Sequence, residues 1–482
     1  MQMPGDLPSA VPPTCWKVSQ DKTIGRILTS SRDIQSWELV IQDTALVAGP
    51  KVRPVCLGCL GEVSDTTELC ERCQWPVCGR ACQLQPSHLE ECSLFRAAGF
   101  YPKSGPGELA RTSGLYSCVS IIRVLLLKLK DSQGWALIQN MMDHWEERAE
   151  DHNVLAAVKV TTKLVIQHLG MSWVTPSDVE KVYGVLKTNA VDIKDGRGQA
   201  LFPHSVCIMS HSCNANLEPA SDPTESICFR AKRRIQEGEE LTIRYCDFLE
   251  SRHHIRRNIL SEWKFLCLCQ RCTDKTEFRT HFSSLKCSCG GYFYHQNTND
   301  REMDEEMSWE CSSCRRVENL SSQYKKADEI LKELEDKPID LIKMRSLQNV
   351  GYFHENFYLL IKLRISFIEQ NKNTNDRYGE LHTICLADRG PSFSRETLEE
   401  LLTEIDIVLR ILHQLDRGCT RLSGFYLHIK TNCQHKILKM KHQEEQITDL
   451  ELKKAILQLT KMKMFAAKLK SSFTEVNHSS HL

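Results

Sequence analysis

The spacing of apolar residues divides the chain into stretches of predicted strand and stretches of predicted helix. Residues 16–50 have the short apolar runs of strands, and Glu38-Leu39-Val40-Ile41 is typical of a buried one. Residues 93–186 change to helical spacing. A strand returns at residues 188–193, and residues 321–482 are again helical in pattern. This order predicts an α+β chain of more than one domain, because 482 residues exceed the usual size of a single domain.

Individual helices can be delimited within both helical stretches. The first stretch contains apolar helical runs at residues 114–129, 135–148 and 154–169, and Pro176-Ser177-Asp178 is typical of a further helix start. In the second stretch, Ser394 is a suitable N-cap for a helix with one apolar face. That face is formed by Leu398, Leu401, Leu402, Ile405, Val408, Leu409 and Leu412.

Composition and charge argue against several classes of function. Lys+Arg and Asp+Glu both total 62, so the chain has no basic excess for clamping DNA phosphates. Residues 1–15 lack the basic head and apolar run of a signal peptide. The most apolar helical stretch, residues 119–129, contains Arg123 and Lys128 and is too short to span a bilayer. We therefore expect a soluble intracellular protein with reduced cysteines and no membrane contact.

The chain has 23 cysteines, many of them in the CxC, CxxC and CxxxC pairs of metal sites. One cysteine-rich segment contains eight potential ligands, which are Cys56, Cys59, Cys70, Cys73, Cys78, Cys82, His88 and Cys92. This number suffices for two tetrahedral zinc ions. Because so short a segment cannot bury a core adequate for independent folding, bound metal must supply its stability. The alternative is a loop of reduced cysteines.

Two further cysteine groups follow towards the C-terminus. The first is a CxCxxC cluster at residues 267–272, which lacks a fourth ligand of its own. The second has a complete set and predicts another zinc site on a two-stranded ribbon, with Gly290-Gly291 in a tight turn. Its ligands are Cys287, Cys289, Cys311 and Cys314.

Two segments are interpreted as solvated. Residues 248–263 predict a short amphipathic helix, and we place its arginines, Arg252, Arg256 and Arg257, on an outward face. Residues 477–482 are predicted to be a disordered tail.

One polar stretch carries the strongest functional signal. A turn at Ser210-His211-Ser212-Cys213 precedes a predicted strand ending at Tyr245, and the CxCxxC cluster follows. This order resembles the catalytic half of SET-domain lysine methyltransferases. The resemblance implies methyl transfer from S-adenosylmethionine to a lysine of a protein, with Tyr245 as the catalytic residue lining the lysine channel. It also implies that Cys213 completes a zinc site with Cys267, Cys269 and Cys272.

The position of the cysteine-rich segment narrows the resemblance. A finger between the first strands and the rest of a SET domain is the arrangement of the SMYD family, and the chain is most similar to its divergent arthropod members of the SmydA type. The resemblance implies a split SET β-fold with an inserted MYND zinc finger, a helical insertion, a post-SET zinc site and an all-α, TPR-like C-terminal domain. The implied segments are SET strands at 1–50, the MYND finger at 51–92, the helical insertion at 93–187, the SET core at 188–250, the post-SET region with the extra CxC/CxxC site at 251–320, and the C-terminal domain at 321–482.

The family resemblance also implies which residues of the finger bind each zinc ion. The two zinc sites of a MYND finger interleave, so one ion would take Cys56, Cys59, Cys78 and Cys82, and the other Cys70, Cys73, His88 and Cys92. MYND fingers usually bind proteins, often proline-rich peptides, and a partner of that kind is expected here.

Cofactor contacts are implied for six residues, namely Gly25, Arg26, Asn189, Ser210, His211 and Phe265. Simpler interpretations stay open for three of them: Gly25 as a turn glycine, Asn189 as a turn cap and Phe265 as a packing residue. Two positions depart from the family pattern. Thr23 stands where the family has the first glycine of a G-x-G turn, and Ser210 stands where it has an asparagine.

Two functions of different class remain open. The first is a zinc-containing, SAM-dependent methyltransferase acting on a histone or non-histone protein, as a monomer and possible transcriptional regulator in nucleus and cytoplasm. The alternative is an adaptor with a weakened SET site that acts as a corepressor-type scaffold. Tyr245, His211 and Phe265 favour the enzyme, whereas Thr23 and Ser210 favour the adaptor. A DNA-binding zinc protein is disfavoured by the neutral charge.

Overall fold

The structure of the protein is a computed structural model. It describes residues 14–471 apart from residues 65, 102–112, 221–225, 297–307, 335, 336, 338, 340, 350, 372–392 and 419. The predicted tail at residues 477–482 lies outside the described residues.

The described strands are short, and most lie in the first two thirds of the chain. They are β1 (Trp16–Asp21), β2 (Gly25–Ser30), β3 (Leu39–Thr44), β4 (Val47–Pro50), β5 (Val191–Ile193), β6 (Gly198–Leu201), β7 (Ser210–His211), β8 (Leu217–Pro219), β9 (Ser226–Ala231), β10 (Thr242–Ile243), β11 (Leu285–Lys286), β12 (Tyr292–His295), β13 (Trp309–Cys311) and β14 (Val317–Glu318).

Strand pairing joins the N-terminal strands to strands more than a hundred residues later. β3 pairs antiparallel with β9, with Ile41 opposite Phe229, and β8 adds to the other side of β9. β4 pairs antiparallel with β6, with Val47 opposite Leu201. The residues between these strands are therefore an insertion into one β-region. The predicted strands at residues 16–50 are confirmed, and their buried side chains join a single core.

The described helices fall into an inserted set and a C-terminal set. They are α1 (Arg80–Gln83), α2 (Pro86–Ala98), α3 (Ser113–Lys130), α4 (Ser132–Gln139), α5 (Trp145–Arg148), α6 (His152–Lys163), α7 (Pro176–Asn189), α8 (Arg252–Trp263), α9 (Gln270–Thr273), α10 (Ser321–Glu333), α11 (Leu341–Asn349), α12 (Tyr358–Asn371), α13 (Arg395–Leu415), α14 (Arg421–Gln443) and α15 (Asp449–Ser471).

The inserted helices differ from prediction in three places. The run at residues 135–148 is interrupted between α4 and α5, and the run at 154–169 ends in a π-helical turn at Leu164–His168. The strand predicted from residue 188 begins at Val191 instead, because α7 continues through Asn189. The start of α7 is as predicted: Thr175 and Asp178 form a reciprocal capping box that satisfies its first backbone donors.

The helical insertion packs directly on the β-region through α3. The Ser120 hydroxyl donates to the Pro50 carbonyl oxygen at 2.6 Å. A Cβ at Gly49 would lie 2.4 Å from the Ser120 hydroxyl oxygen, so a larger residue at position 49 would push α3 away from β4. Behind this contact, the fully buried Trp75 ring of the cysteine-rich segment meets Phe95 and Tyr116 at 5.5 and 5.0 Å between ring centroids. The cysteine-rich segment therefore shares the core of the β-region.

The C-terminal helices surround α12, which is buried along most of its length. Five successive residues from Phe357 to Ile361 have no exposed surface, as expected for a central helix. The predicted apolar face of α13 is buried or half-buried throughout, and Ser394 caps the helix by accepting from the Thr397 backbone N–H. A TPR-like arrangement of these helices stays a prediction.

The arginines of α8 correct one expectation. Arg257 is exposed, but Arg252 and Arg256 are only 3% and 6% exposed, so they do not form a solvated face. The Arg252 guanidinium donates to the His295 carbonyl oxygen at 3.2 Å. The amphipathic pattern was misleading because C-terminal helices cover the start of α8: the His254 ring packs edge-on against Tyr358 at 5.5 Å. Over the part of the chain that the structure describes, no helix has the length and apolarity needed to cross a membrane.

Candidate active site and zinc centres

The polar segment at residues 210–216 is held against β10 by one buried asparagine. β7 and β10 pair in parallel over only two residues each. Asn216, 2% exposed, reinforces this pairing. Its side-chain oxygen accepts from the Thr242 backbone N–H at 2.9 Å, and its amide donates to the Glu240 carbonyl oxygen at 2.8 Å. The asparagine therefore fixes the register of two short strands that could not hold it alone.

Tyr245 lies where this pairing ends, with both of its polar groups engaged. Its backbone N–H donates to His211 Nδ1 at 3.0 Å, and its hydroxyl donates to the Met209 carbonyl oxygen at 2.6 Å. Its ring centroid lies 5.2 Å from that of Trp263. Burial raises the pKa of the Tyr245 phenol, with smaller contributions from Cys207 and Glu240, so the hydroxyl keeps its proton at neutral pH. The expected strand ends two residues before Tyr245, at Ile243.

His211 connects Tyr245 to one side of a candidate cofactor surface. Its ring centroid lies 5.3 Å from Tyr245 and 6.5 Å from Phe265, and its Nε2 lies 3.3 Å from Cys213 Sγ. Phe265 is 37% exposed, which leaves one face of an aromatic ring available to a ligand. Ser210 is half-buried beside His211. The structure therefore brings four predicted site residues together.

The other three predicted residues form a second group around residues 140–142. Arg26 donates to the Asn140 carbonyl oxygen at 2.9 Å, and the Asn189 amide donates to the Met142 carbonyl oxygen at 2.8 Å. Gly25 has a φ of +91°, a value that L side chains rarely adopt, and it follows a turn in which the Thr23 N–H donates to Asp21. The side chains of Arg26 and Asn189 are thus hydrogen-bonded to carbonyl oxygens of the helical insertion.

A 3-10 turn at Val206–Ile208 connects the two groups. The Cys207 thiol lies 3.6 Å from the Asn189 carbonyl oxygen and donates to it, and Met209 accepts from Tyr245. Sequence reasoning missed the roles of Cys207 and Met209 and the two hydrogen bonds by which Asn216 fixes the strand register. Met209 acts through its main chain, so its side-chain identity carries no signal.

Sixteen predicted metal ligands form four compact sets. Within each set the ligand atoms lie within 4.8 Å of one another, and the donors are thiols with one imidazole, the chemistry that zinc prefers. The sets are Cys56, Cys59, Cys78 and Cys82; Cys70, Cys73, His88 and Cys92; Cys213, Cys267, Cys269 and Cys272; and Cys287, Cys289, Cys311 and Cys314. The interleaved pairing of the first two sets and the assignment of Cys213 agree with prediction.

The histidine ligand of the second set is oriented by a buried ion pair that sequence reasoning missed. Glu91 has no exposed surface, and its carboxylate lies 3.4 Å from His88 Nδ1, leaving Nε2 on the cysteine side. Arg123 of α3 donates to both oxygens of that carboxylate, at 2.7 and 2.6 Å, and to the Ala48 carbonyl oxygen of β4. A metal-binding histidine commonly has such a carboxylate partner. The His-x2-Glu spacing on α2 was the available signal.

The third set joins the candidate active site to α8 and α9. Cys213 Sγ lies 3.9 Å from Cys267 Sγ and 3.6 Å from Cys272 Sγ, which brings Cys213 to the cysteines that follow α8. Arg271, between two of the ligands, has no exposed surface and pairs with Glu277 at 2.9 Å. This set spans 59 residues of sequence between Cys213 and Cys272.

The fourth set lies on a larger sheet than predicted. Instead of a two-stranded ribbon, β11, β12, β13 and β14 form one four-stranded antiparallel sheet. β14 was missed because it has only two residues. A Cβ at Gly291 would lie 2.8 Å from Cys311 Sγ, so the ligand cluster requires glycine at this position.

A sequence model of the family described as SET domain matches residues 25–246, the part of the chain that contains the strands from β2 to β10 and Tyr245. Among curated proteins, SET domain-containing protein SmydA-8, isoform A, of Drosophila melanogaster is 27% identical over 395 residues, covering 76% of this chain and 79% of that protein. Histone-lysine N-methyltransferase SMYD1 of Homo sapiens is 25% identical, covering 52% of this chain and 54% of that protein. The predicted similarity to the SMYD family and its SmydA-type members is confirmed.

A solved structure gives a weaker comparison. The SET domain of LSMT bound to lysine and AdoHcy covers 95% of this chain and 87% of its own, with a TM-score of 0.30 and 11% identity. This likeness is too low to support a structural conclusion.

The four ligand sets predict four zinc ions per chain. Native mass spectrometry of the purified protein should give this stoichiometry, and Cys314→Ser should reduce it to three. Cys433→Ala, which alters a buried cysteine outside the four sets, should retain four ions. A wild-type count of three would remove the fourth site, and a count of two would remove the third as well.

Glu91→Gln should weaken zinc binding at the His88 site by roughly 10–100-fold, because it removes the carboxylate that orients the imidazole. Zinc transfer to a colorimetric chelator measures the effect. The control is Glu90→Gln, which changes the neighbouring carboxylate, about half exposed and paired with Lys130 at the surface. Equal zinc release from the two variants would show that Glu91 does not support the metal.

Proposed function

We propose that the chain is a protein-lysine N-methyltransferase that uses S-adenosylmethionine. The observation that carries this proposal is the placement of Tyr245, whose buried hydroxyl is fixed on the Met209 carbonyl oxygen beside His211. Two further findings support it: the SET family match, and the names of relatives such as the SMYD1 and SMYD3 histone-lysine N-methyltransferases.

The residues present fit such a cofactor. Phe265 offers a half-exposed ring, and His211 and Ser210 line the segment next to it. Glu240, whose buried Oε1 has no hydrogen-bond partner among the described residues, contributes a negative charge to the surroundings of Tyr245. Gly25, Arg26 and Asn189 would contact the cofactor from the other side. When bound, S-adenosylmethionine supplies an electrophilic methyl group.

The chain's part in the reaction is to present a neutral, aligned amine. Free lysine has a pKa near 10.4, and a water-poor channel disfavours its charged form. The Tyr245 hydroxyl donates a hydrogen bond to the Met209 carbonyl oxygen. The lone pairs of the Tyr245 oxygen are therefore free to accept a hydrogen bond from the amine N–H. That bond would direct the nitrogen lone pair towards the methyl carbon. Alignment of this kind can lower the activation free energy by roughly 7–11 kcal/mol.

We also propose a substrate, a partner and a location. The substrate is a lysine in a histone or another protein, and the finger at residues 51–92, as a MYND finger, takes a proline-rich peptide. We place the protein in nucleus and cytoplasm, as a monomeric regulator that does not itself bind nucleic acid. The alternative function is an adaptor with a weakened SET site. The departures at Thr23 and Ser210 favour it.

Tyr245→Phe should lower the rate of methyl transfer about 100-fold or more, because it removes an oriented hydroxyl from a buried site. Its affinity for S-adenosylmethionine should change little. Transfer of a radiolabelled methyl group to purified core histones, and to the chain's own lysines, measures the rate. The control is Tyr426→Phe, which deletes a hydrogen-bonded tyrosine hydroxyl within the C-terminal helices. An active wild type with an equally active Tyr245→Phe variant would refute the assignment.

Ser210→Asn should strengthen S-adenosylmethionine binding by up to about tenfold, because the family's asparagine restores one hydrogen bond. Titration calorimetry measures both proteins. Absence of heat at millimolar cofactor in wild type and variant alike would reject the enzyme, and the adaptor would become the better account.

A further inference from the structure

The connection between α13 and α14 reaches out of the C-terminal helices to the part of the β-region next to the candidate active site. Asp416 ends α13 and is 1% exposed. Its carboxylate forms two buried ion pairs, one with Lys232 just after β9 and one with Arg244, which lies 2.5 Å away just after β10. Burial alone would raise the pKa of Asp416, but Arg244 and Lys232 lower it, so the group is an anion between two cations.

The residues after Asp416 extend the contact over the same surface. The Arg417 backbone N–H donates to the side-chain oxygen of Asn214 at 3.2 Å. The Arg421 backbone N–H lies 3.3 Å from both carboxylate oxygens of Glu218 on β8. Gly418 approaches so closely that a Cβ would lie 2.7 Å from the Lys232 carbonyl oxygen, and its φ of +118° also requires glycine. The connection is therefore closely fitted to the β-region.

Two of these partners adjoin the residues that build the site. Arg244 directly precedes Tyr245, and Asn214 directly follows Cys213. The β7–β10 pairing between them is only two residues long. A contact that fixes residues 214 and 244 from outside would therefore restrict how far Tyr245 can move relative to His211.

We propose that Asp416 is a positioning residue for the methyl-transfer site, acting through Arg244 and Lys232. The effect of Asp416 on methyl transfer rests on the proposed function. Its effect on the position of Tyr245 does not. Asp416 holds Arg244 at the end of β10, in the arrangement that directs the Tyr245 hydroxyl. The adjacent backbone N–H of Arg417 holds Asn214 in the segment after His211. The C-terminal helices are thereby part of the site's construction, since they supply a carboxylate that pairs with Lys232 and with Arg244, the residue before Tyr245.

Hydrogen exchange of the full chain, without cofactor, tests the structural part. Asp416→Asn should accelerate backbone amide exchange at least tenfold in peptides covering residues 207–216 and 240–246. The matched control is Glu404→Gln, which breaks a buried ion pair with Arg364 inside the same set of helices. Glu404→Gln should leave those two peptides unchanged. Gly418→Ala, which removes no charge but displaces the connection, should reproduce the effect of Asp416→Asn and serves if that variant does not fold.

Kinetics tests the catalytic part on the same proteins. With core histones as acceptor, Asp416→Asn should lower kcat at least tenfold and leave KM for histone within threefold, whereas Glu404→Gln should change neither. Equal exchange in the two variants, or no acceleration in Asp416→Asn and Gly418→Ala, would overturn the proposal. An inactive wild type would instead count against the proposed function, and the exchange result would still decide whether Asp416 holds the site.

Discussion

Convergence of Cys213 with the cysteines at residues 267–272 is the constraint on which the candidate active site depends. β7 and β10 meet over two residues each, and so short a parallel pair contributes little on its own. Zinc coordination by four cysteines is much more stabilising than this strand pair, with apparent binding free energies of about 10–16 kcal/mol in zinc-finger peptides. The ligand set therefore anchors His211 and Tyr245, while Asn216 sets the register between them. Chemistry at this site is inseparable from the folding of the region after Tyr245.

Two sets of buried ion pairs occur where parts of the chain meet. Glu91–Arg123 joins the cysteine-rich segment to α3, and Asp416 joins the C-terminal helices to Lys232 and Arg244 of the β-region. None of these side chains is more than about a fifth exposed. Such pairs add little net stability compared with apolar packing, yet removing one partner is costly. Their effect is to specify one arrangement of the segments.

The cysteine groups could be predicted from the sequence because metal ligands recur at short, fixed spacings that are visible locally. The apolar face of α13 was predictable for the same reason. Arg252 and Arg256 were misplaced because a helix pattern cannot reveal which other helices will cover it. Asn189 was assigned to a strand because the capping box at Thr175 fixes where α7 starts but not where it stops. Lys232 and Asp416 are 184 residues apart, and no local pattern pairs them.

The acceptor of the Tyr245 hydroxyl has a consequence for how this site can change over evolutionary time. The oxygen belongs to the main chain of Met209, so replacing the side chain at position 209 leaves it in place. A lineage can therefore exchange the buried apolar side chain at position 209 for another that fits the core while the phenol keeps its direction. Ser210, one residue later, differs from the family's asparagine in the same neighbourhood. Change of side chains and retention of the Tyr245 geometry are thus compatible within three consecutive residues, 209 to 211.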